Sequence, residues 1–440
     1  MARLNILKLG HLGFDGAVLR THEGAPAIAV SPELELRRSV LAAMLWEDQF
    51  YESGVTIAER VAGLVPLVSA SKVAALAVEA RERMKLRHMP LLLVREMARH
   101  QTHRALVAVT LARVIQRADE LAEFLAIYWK DGRQPLSAQV KKGLAAAFTK
   151  FDAYALAKYD RDGVVKLRDV LFLSHAKPVT SEQAQVWRQL VEGTLPSPDT
   201  WEVRLSAGQQ KREAWESLLM EHKLGALALL RNLRNMQEAG VDANLVRLAL
   251  ETIRVERVLP FRFIAAARYA PQWEEWIEQA MFASVGGQAQ LKGRTALLVD
   301  LSGSMDARLS ARSEMLRVDA AAGLAVLLRE VAEEVSVFTF SDRLVRVPSR
   351  RGFALRDAIA QSQPHASTLL GKALGELDGP YDRLIVITDE QSHDRVPAPR
   401  SGRGYAVNVA SFQNGVGYGA WTHIDGWSES VIEYIRALED

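Results

Sequence analysis

The chain has 440 residues, of which 49% are hydrophobic and 25% charged, and its formal net charge is +2. This composition is typical of a globular protein and excludes a chain that is disordered over most of its length. Because 440 residues exceed what one hydrophobic core usually holds, we expect two or three domains. The sequence contains no cysteine, which excludes disulfides, thiolate metal sites and cysteine nucleophiles.

No segment of the sequence resembles a signal peptide or a membrane span. The N-terminus MARLNILKLGHLGFDGAV lacks the unbroken apolar segment of a signal peptide, and no run of about 18 apolar residues occurs. We therefore expect a monomeric cytoplasmic protein without a membrane partner.

Positive charge is concentrated in the first part of the chain. Residues 1–290 carry a net charge of +5, whereas residues 291–440 carry −3. Within the first part, residues 72–117 contain ten Lys or Arg side chains and three acidic ones. A patch of this kind attracts phosphates, although a solvated helix surface is the commoner meaning of a run of arginines.

The region from Pro32 to about Ala283 is predicted to be helical, because apolar residues recur every three or four positions. Ser31 and Pro32 predict the start of a first helix, and Pro90 predicts the start of another in LLLVREMARHQTHRALVAVTLARVI. The predicted helices form pairs of about forty residues, the size of HEAT units. This spacing predicts an irregular α-solenoid with long exposed ridges.

Three residues of that segment are candidate RNA contacts. Arg95, Arg99 and His103 fall at positions i, i+4 and i+8 of the predicted helix and would share one face. The alternative is a polar surface stripe without a ligand.

The periodicity changes after residue 285. GGQAQLKG (286–293) is predicted to be a linker, and TALLVDLSGSM begins with a buried strand. A helix (318–334), a strand (335–340), an edge strand (344–347), the strands in RLIVITDE and GYAVNVASF, and a helix (429–438) are predicted to follow. We therefore expect a helical domain over 1–285 and a doubly wound α/β domain over 294–440.

Hydroxyl and carboxylate side chains follow two strands of the predicted sheet. Asp300, Ser302 and Ser304 leave the first strand, Asp389 ends RLIVITDE, and Thr368 lies in a loop between them. Hard oxygen ligands of this kind suit Mg²⁺, with Mn²⁺ as an alternative. The set resembles the metal-ion-dependent adhesion site (MIDAS) of von Willebrand A domains. It departs from that pattern at Ala366 in the threonine loop and at Glu390, where the family usually has glycine, and Asp300 could instead only cap a helix.

Three helical segments resemble the TROVE domain of the Ro autoantigen family. They are AKYDRDGVVKLRDVLFLSHAKP (157–178), WESLLMEHKLGALALLRNLRNMQEAGVD (215–242) and RVLPFRFIAAARYA (257–270). With an A-type domain behind them, the order of segments is that of bacterial-type Ro proteins. The resemblance implies a ring-like HEAT-repeat α-solenoid followed by a von Willebrand A domain. It also implies binding of small structured Y-like RNA on a basic outer surface and of single-stranded RNA ends in a central ring.

The segment at 157–178 supplies most of the candidate RNA-binding residues. His175 could bind RNA or only end a helix, and Lys166 and Arg168 could instead form surface ion pairs with Asp162 and Asp169. A further pair of candidates lies at 231 and 234. The candidates outside 95–103 are Lys158, Arg161, Lys166, Arg168, His175, Lys177, Arg231 and Arg234.

The predicted function is an RNA-binding scaffold for RNA quality control or decay, with an exoribonuclease as a further partner and no DNA partner. The sequence contains no GxxxxGK[ST] loop and no nucleophile and base at a known spacing, so we expect no enzymatic activity. The alternative is a metal-dependent adaptor between two proteins. A metal-assisted phosphoesterase is the less favoured third hypothesis.

Overall fold

The computed structural model describes residues 31–41, 54–206, 210–255, 258, 260–287, 289–309, 315–389, 392–409, 420–425 and 430–439. Contacts between residues divide the described chain into two compact units. We call residues 31–41 and 54–206 the helical unit, and the described residues from 210 onward the mixed unit. Glu390 lies outside the described residues.

The helical unit contains eleven α-helices in its described residues. They are α1 (Pro32–Leu41), α2 (Gly54–Leu64), α3 (Ala70–Glu82), α4 (His88–Arg99), α5 (Arg104–Val114), α6 (Asp119–Tyr128), α7 (Ala138–Phe148), α8 (Ala153–Tyr159), α9 (Leu167–Ser174), α10 (Ser181–Glu192) and α11 (Trp201–Ser206).

Alternate helices of the helical unit pack against each other in two series. Helices α3, α5 and α7 form one series, α2, α4 and α6 form the other, and α9 packs against the last helix of each. The approach of α5 to α7 requires Gly143, because a Cβ atom there would lie 2.9 Å from the Cβ of Leu111 and 3.0 Å from the carbonyl oxygen of Ala108. This packing of alternate helices is the arrangement expected of stacked helix pairs.

The long helix predicted to begin at Pro90 is two helices. Helix α4 begins two residues before Pro90 and ends at Arg99, His100 is extended (ψ 127°), and Gln101–His103 forms a single 3₁₀ turn before α5. The prediction that Arg95, Arg99 and His103 share one helix face is therefore wrong, because the backbone changes direction between the second and the third.

The mixed unit begins with five helices and continues into a sheet. The helices are α12 (Lys211–Met220), α13 (Ala226–Glu238), α14 (Ala243–Glu251), α15 (Phe261–Tyr269) and α16 (Glu274–Val285). The strands are β1 (Leu291–Asp300), β2 (Ala332–Phe340), β3 (Leu344–Arg346), β4 (Arg383–Thr388), β5 (Gly404–Asn408) and β6 (Thr422–Asp425), with helices α17 (Arg317–Val331), α18 (Gly352–Ala360), α19 (Leu370–Glu376) and α20 (Ser430–Glu439).

The sheet has the strand order β3-β2-β1-β4-β5-β6, in which only the edge strand β3 is antiparallel to its neighbour. The predicted succession of a helical region and a mixed α/β sheet is confirmed. Strand β1 starts inside the segment predicted as a linker, and β6 had no sequence prediction. The strand order reverses direction between β1 and β4, where open α/β sheets bind ligands.

Helices α15 and α16 pack directly on the helices of the sheet. Gly323 of α17 faces Ile264 of α15 so closely that a Cβ would lie 3.0 Å from the isoleucine side chain. Glu278 of α16 accepts a hydrogen bond from the backbone N–H of Phe353 at 2.5 Å, which satisfies a free donor in the first turn of α18. In the described part of the chain, none of the helices combines the length and hydrophobicity that crossing a bilayer requires.

Candidate nucleic-acid interface and cation site

Most of the basic side chains at 72–117 are neutralised by acidic partners. The acids come from α1, α3, α4, α6 and the turn after α6, and several lie outside the segment in which the charge was counted. The basic residues paired in this way are Lys72, Arg81, Arg87, Arg95, Arg99, Arg113 and Arg117. The segment is therefore mainly a network of ion pairs between helices.

The candidates at 95–103 belong to the interior or to that network. Arg95 is 4% exposed and donates to Glu96 at 2.6 Å and to Asp131. Arg99 donates to Asp131 at 2.8 Å, a bond that lowers the pKa of this carboxyl together with the charge of Arg95. His103 is 2% exposed and its Nε2 lies 2.9 Å from the carbonyl oxygen of Val68. Arg95 and His103 are thus not placed to contact RNA on the surface.

Basic side chains at 158–177 are placed differently. Helix α9 ends at Ser174, and His175 follows in the left-handed conformation (φ 54°) with its side chain exposed. Among the described residues, the side chains of Arg161, Arg168, His175 and Lys177 make no hydrogen bond or ion pair, and all four are exposed. Phosphate groups of a ligand can therefore reach them without displacing a carboxylate from a direct ion pair.

Lys166 differs from these neighbours because it has partners. Its Nζ lies 2.6 Å from Oδ1 of Asp162, as the ion-pair alternative predicted. Its backbone N–H donates to Asp169, which ties down the start of α9. Asp162 is 94% exposed, so a pair of this kind contributes little to stability.

Two exposed aromatic rings lie on α8 and α9, the helices in and beside the segment that carries the unpaired cations. Tyr154 is 49% exposed on α8, and Phe172 is 59% exposed on α9. The Nζ of Lys158 lies 5.9 Å from the ring centre of Tyr154 and 5.8 Å from that of Tyr159. Rings of this kind can stack on unpaired bases. Phe172 was not predicted, because it lies in the apolar run VLFL and nothing in that run marks it as exposed.

In the mixed unit, α13 carries the candidates Arg231 and Arg234. Both are exposed, but the Nε of Arg234 lies 3.0 Å from Oε1 of Glu238, whereas Arg231 makes no ion pair with any described residue. Buried Asn232 donates to the carbonyl oxygen of Ala228 at 2.8 Å and is part of the helix packing. Only Arg231 is available here without breaking an existing pair.

The predicted cation ligands converge at the carboxyl ends of β1 and β4. Asp300 is fully buried, and its Oδ1 accepts a hydrogen bond from the N–H of Ser302 at 2.8 Å. Its Oδ2 accepts from the hydroxyl of Thr388 at 2.6 Å. The hydroxyl oxygens of Ser302 and Ser304 lie 3.1 Å apart. The N–H of Gly303, in the loop that follows β1, donates a hydrogen bond to the carbonyl oxygen of Ala366 at 2.9 Å. This bond holds the loop against the one that contains Thr368.

Asp389 is the second buried carboxylate of this site. Its Oδ2 accepts a hydrogen bond from Nη1 of Arg317 at 2.9 Å, and its Oδ1 is buried without a hydrogen-bond partner. Burial and the charge of Asp389 raise the pKa of Asp300 to about 7. Thr368 is 2% exposed in the neighbouring loop. Sequence reasoning missed Arg317, because a basic residue at the start of a helix carries no signal of its own.

The residues present fit a hard divalent cation. Two carboxylates and two adjacent hydroxyls supply oxygen atoms, and the unpartnered Oδ1 of Asp389 is a buried acceptor that a cation would satisfy. The described residues contain no cluster of three or more His, Asp or Glu that could hold a metal by themselves. Hydroxyl groups and water would therefore have to complete the coordination.

Comparisons with known proteins match this arrangement of helices and sheet. The family model "TROVE domain" matches residues 193–280. Telomerase protein component 1 from Mus musculus is 38% identical over 78 residues, and the Rattus norvegicus protein is 37% identical over the same length. These matches cover 16% of this chain and only 3% of the telomerase proteins.

The comparison with solved structures covers nearly the whole chain. The crystal structure of the Deinococcus radiodurans RO (RSR) protein matches 92% of this chain and 99% of that one, with a TM-score of 0.62 and 18% sequence identity. At 18% identity, the structural match establishes a shared fold. The resemblance in sequence rests on the TROVE match at residues 193–280. Residues 193–280 therefore resemble the TROVE domain in sequence, and the chain shares the fold of the Deinococcus radiodurans RO (RSR) protein.

Proposed function

We propose that this chain belongs to the Ro family and is an RNA-binding scaffold without a catalytic step, and that its helical unit binds RNA through the exposed basic side chains at 158–177. The supporting observation is that Arg161, Arg168, His175 and Lys177 are exposed and unpaired among the described residues. Basic residues at 72–117 are mostly paired with acids. Phosphate binding at 158–177 therefore requires no existing ion pair to break.

The favoured ligand is a small structured RNA of the Y type. Cations can bind the phosphates of its duplex, and the exposed rings of Tyr154 and Phe172 can stack on bases of its loops. Recognition of RNA by proteins depends mainly on such unpaired loops, because the major groove of an RNA duplex is too narrow for side chains. Single-stranded ends are a second proposed ligand, with Arg231 as the available cation on α13, and RNA quality control is the proposed role.

The test compares two triple variants. In the first, Arg161, Arg168 and Lys177 are replaced by glutamine. In the control, Arg113, Arg212 and Arg247 are replaced by glutamine, since each of these exposed arginines already pairs with a glutamate.

Affinity for a small hairpin RNA is measured by fluorescence anisotropy at fixed salt. Loss of three phosphate contacts is expected to weaken binding at least tenfold in the first variant and less than twofold in the control. Equal affinities of the two variants would contradict the proposal.

We also propose that the site at Asp300, Ser302 and Ser304, with Thr368 and Asp389, binds Mg²⁺ or Mn²⁺ in the manner of an A-domain. The unpartnered buried Oδ1 of Asp389 supports this proposal. When bound, the cation would offer a coordination position to an acidic group of a partner. Calorimetric titration of Mn²⁺ into the wild-type protein and into Asp300→Asn tests it, with loss of binding expected in the variant. Unchanged binding by Asp300→Asn would remove this site from consideration.

A further inference from the structure

Arg317 connects the two halves of the proposed cation site. It is the first residue of α17, and its side chain is 10% exposed. Its Nη1 lies 2.9 Å from Oδ2 of Asp389 and 3.3 Å from the carbonyl oxygen of Ser304. One guanidinium thus touches both the end of β4 and the loop that follows β1.

The charges of the site explain why a guanidinium is found there. Asp300 and Asp389 are both fully buried, and two ionised carboxylates without a counter-charge are costly in a protein interior. The oxygens of Asp300 accept hydrogen bonds from the neutral donors Ser302 and Thr388. Within the described residues, Arg317 is the cation that forms an ion pair with Asp389.

A divalent cation and Arg317 would act on the same carboxylate. Arg317 neutralises one of the two negative charges, so the electrostatic attraction for an incoming cation is reduced. A cation close to Asp389 would also be repelled by the guanidinium. Both effects lower the affinity for the metal, whereas in the metal-free site Arg317 compensates the charge of Asp389.

We propose that Arg317 is a built-in counter-ion of this site, which stabilises the metal-free protein and keeps the affinity for divalent cations low. The inference rests on the cation site proposed above. It makes Arg317 a positioning and affinity-setting residue, since it contacts two of the proposed ligand residues and supplies no oxygen itself.

The test uses Arg317→Met, which preserves most of the side-chain length and removes the charge. Arg308→Met is the matched control, because Arg308 is exposed in the same loop region and forms no ion pair with a described residue. Mn²⁺ affinity is measured by calorimetry, and the thermal midpoint is measured with chelator and with Mn²⁺.

Arg317→Met is expected to bind Mn²⁺ at least tenfold more tightly than the wild type. It is also expected to melt at a lower temperature in chelator and to recover most of that loss in Mn²⁺. Arg308→Met is expected to change the affinity less than threefold.

If Arg317→Met does not fold in chelator, refolding in Mn²⁺ replaces the melting comparison. Recovery of folded protein supports the proposal, and failure to recover it overturns it.

Two further results would overturn the inference, and they separate it from the site on which it rests. If the wild type binds Mn²⁺ and Arg317→Met binds it no more tightly, Arg317 does not compete with the cation. If neither protein binds Mn²⁺, the cation site itself is wrong. RNA affinity measured on the same samples reports separately on the surface at 158–177.

Discussion

Nη2 of Arg81 donates a hydrogen bond to Oε1 of Glu120 at 2.7 Å, and the two side chains are 8% and 0% exposed. Glu120 also accepts from the backbone N–H groups of Gln116 and Arg117, so one carboxylate joins α3 to the start of α6. Replacing Arg81 by methionine would remove the short ion pair of this fully buried carboxylate and leave it the longer contact with Nε of Arg87 at 3.6 Å. We expect Arg81→Met to lower the free energy of unfolding by about 3–5 kcal/mol, measured by urea denaturation.

Arg113→Met is the control for this prediction. Arg113 pairs with Glu82 at 2.7 Å, but its side chain is 59% exposed and the pair faces solvent. Its removal is expected to change the free energy of unfolding much less than Arg81→Met does, because a solvent-exposed ion pair contributes little to stability. Similar losses in both variants would show that burial does not decide the strength of these pairs.

Arg99→Gln is expected to leave RNA binding unchanged. Arg99 is paired with Asp131, a carboxylate that it shares with Arg95, so it already has an anionic partner in the free protein. We expect RNA affinity within twofold of the wild type in an anisotropy titration and a stability change below about 1 kcal/mol. A tenfold loss of affinity with unchanged stability would contradict this prediction and show that Arg99 at the end of α4 contacts RNA.

RNA binding is expected to weaken steeply with salt. Each phosphate contact adds roughly 0.7–0.9 to the slope of log affinity against log salt concentration. The variant with glutamine at Arg161, Arg168 and Lys177 loses three such contacts and is therefore expected to reduce the slope by about 2–3, measured from titrations at several salt concentrations. A slope equal to that of the wild type would mean that these cations do not touch phosphate.

The last turn of α20 is expected to stabilise the sheet in a pH-dependent manner. Burial opposes ionisation of Glu439, but hydrogen bonds from Arg383 (2.6 Å) and Tyr405 (2.9 Å) keep the pKa of this carboxyl below its usual value of 4.5. A lowered pKa means that the stabilisation is present above the pKa of the unfolded chain and is lost as the pH falls through the folded value.

Glu439→Gln is therefore expected to melt below the wild type at pH 7, with a difference that disappears in acid. Thermal midpoints of both proteins are measured from pH 7 down to about pH 3, a range that includes the usual pKa of a glutamate carboxyl. Glu275→Gln is the control, since Glu275 is exposed and makes no ion pair with a described residue. A difference that persists undiminished in acid would contradict the assignment to Glu439.

The strands of the sheet were predictable because their sequence signals are local. The apolar runs of β1 and β4 end in Asp300 and Asp389, and parallel pairing brings those ends together as expected. Strand β6 was not predicted from the sequence, because THID is short and three of its four residues are polar. The break between α4 and α5 was not predicted because the polar stretch from Arg99 to Arg104 contains neither proline nor glycine, the residues that usually mark a helix end.

Counting charged residues within one segment of the sequence does not reveal which of them form ion pairs in the folded protein. Arg81, Arg95 and Arg113 belong to one basic segment, yet their partners are 39, 36 and 31 residues away in sequence. Only the folding of α3 to α6 against each other brings those charges together. Arg161, Arg168 and Lys177 differ from them because they form no ion pair with any described residue, which the sequence does not reveal.

His175 holds a backbone conformation (φ 54°, ψ 35°) that glycine adopts without strain. A residue with a Cβ atom is disfavoured in this conformation by roughly 1–2 kcal/mol. The exposed imidazole of His175 forms no hydrogen bond or ion pair with the described part of the protein. Selection for a stable fold alone would favour glycine at the end of α9. Replacing His175 by glycine would therefore relieve this backbone cost at the end of α9 without removing a hydrogen bond or ion pair to the described part of the protein.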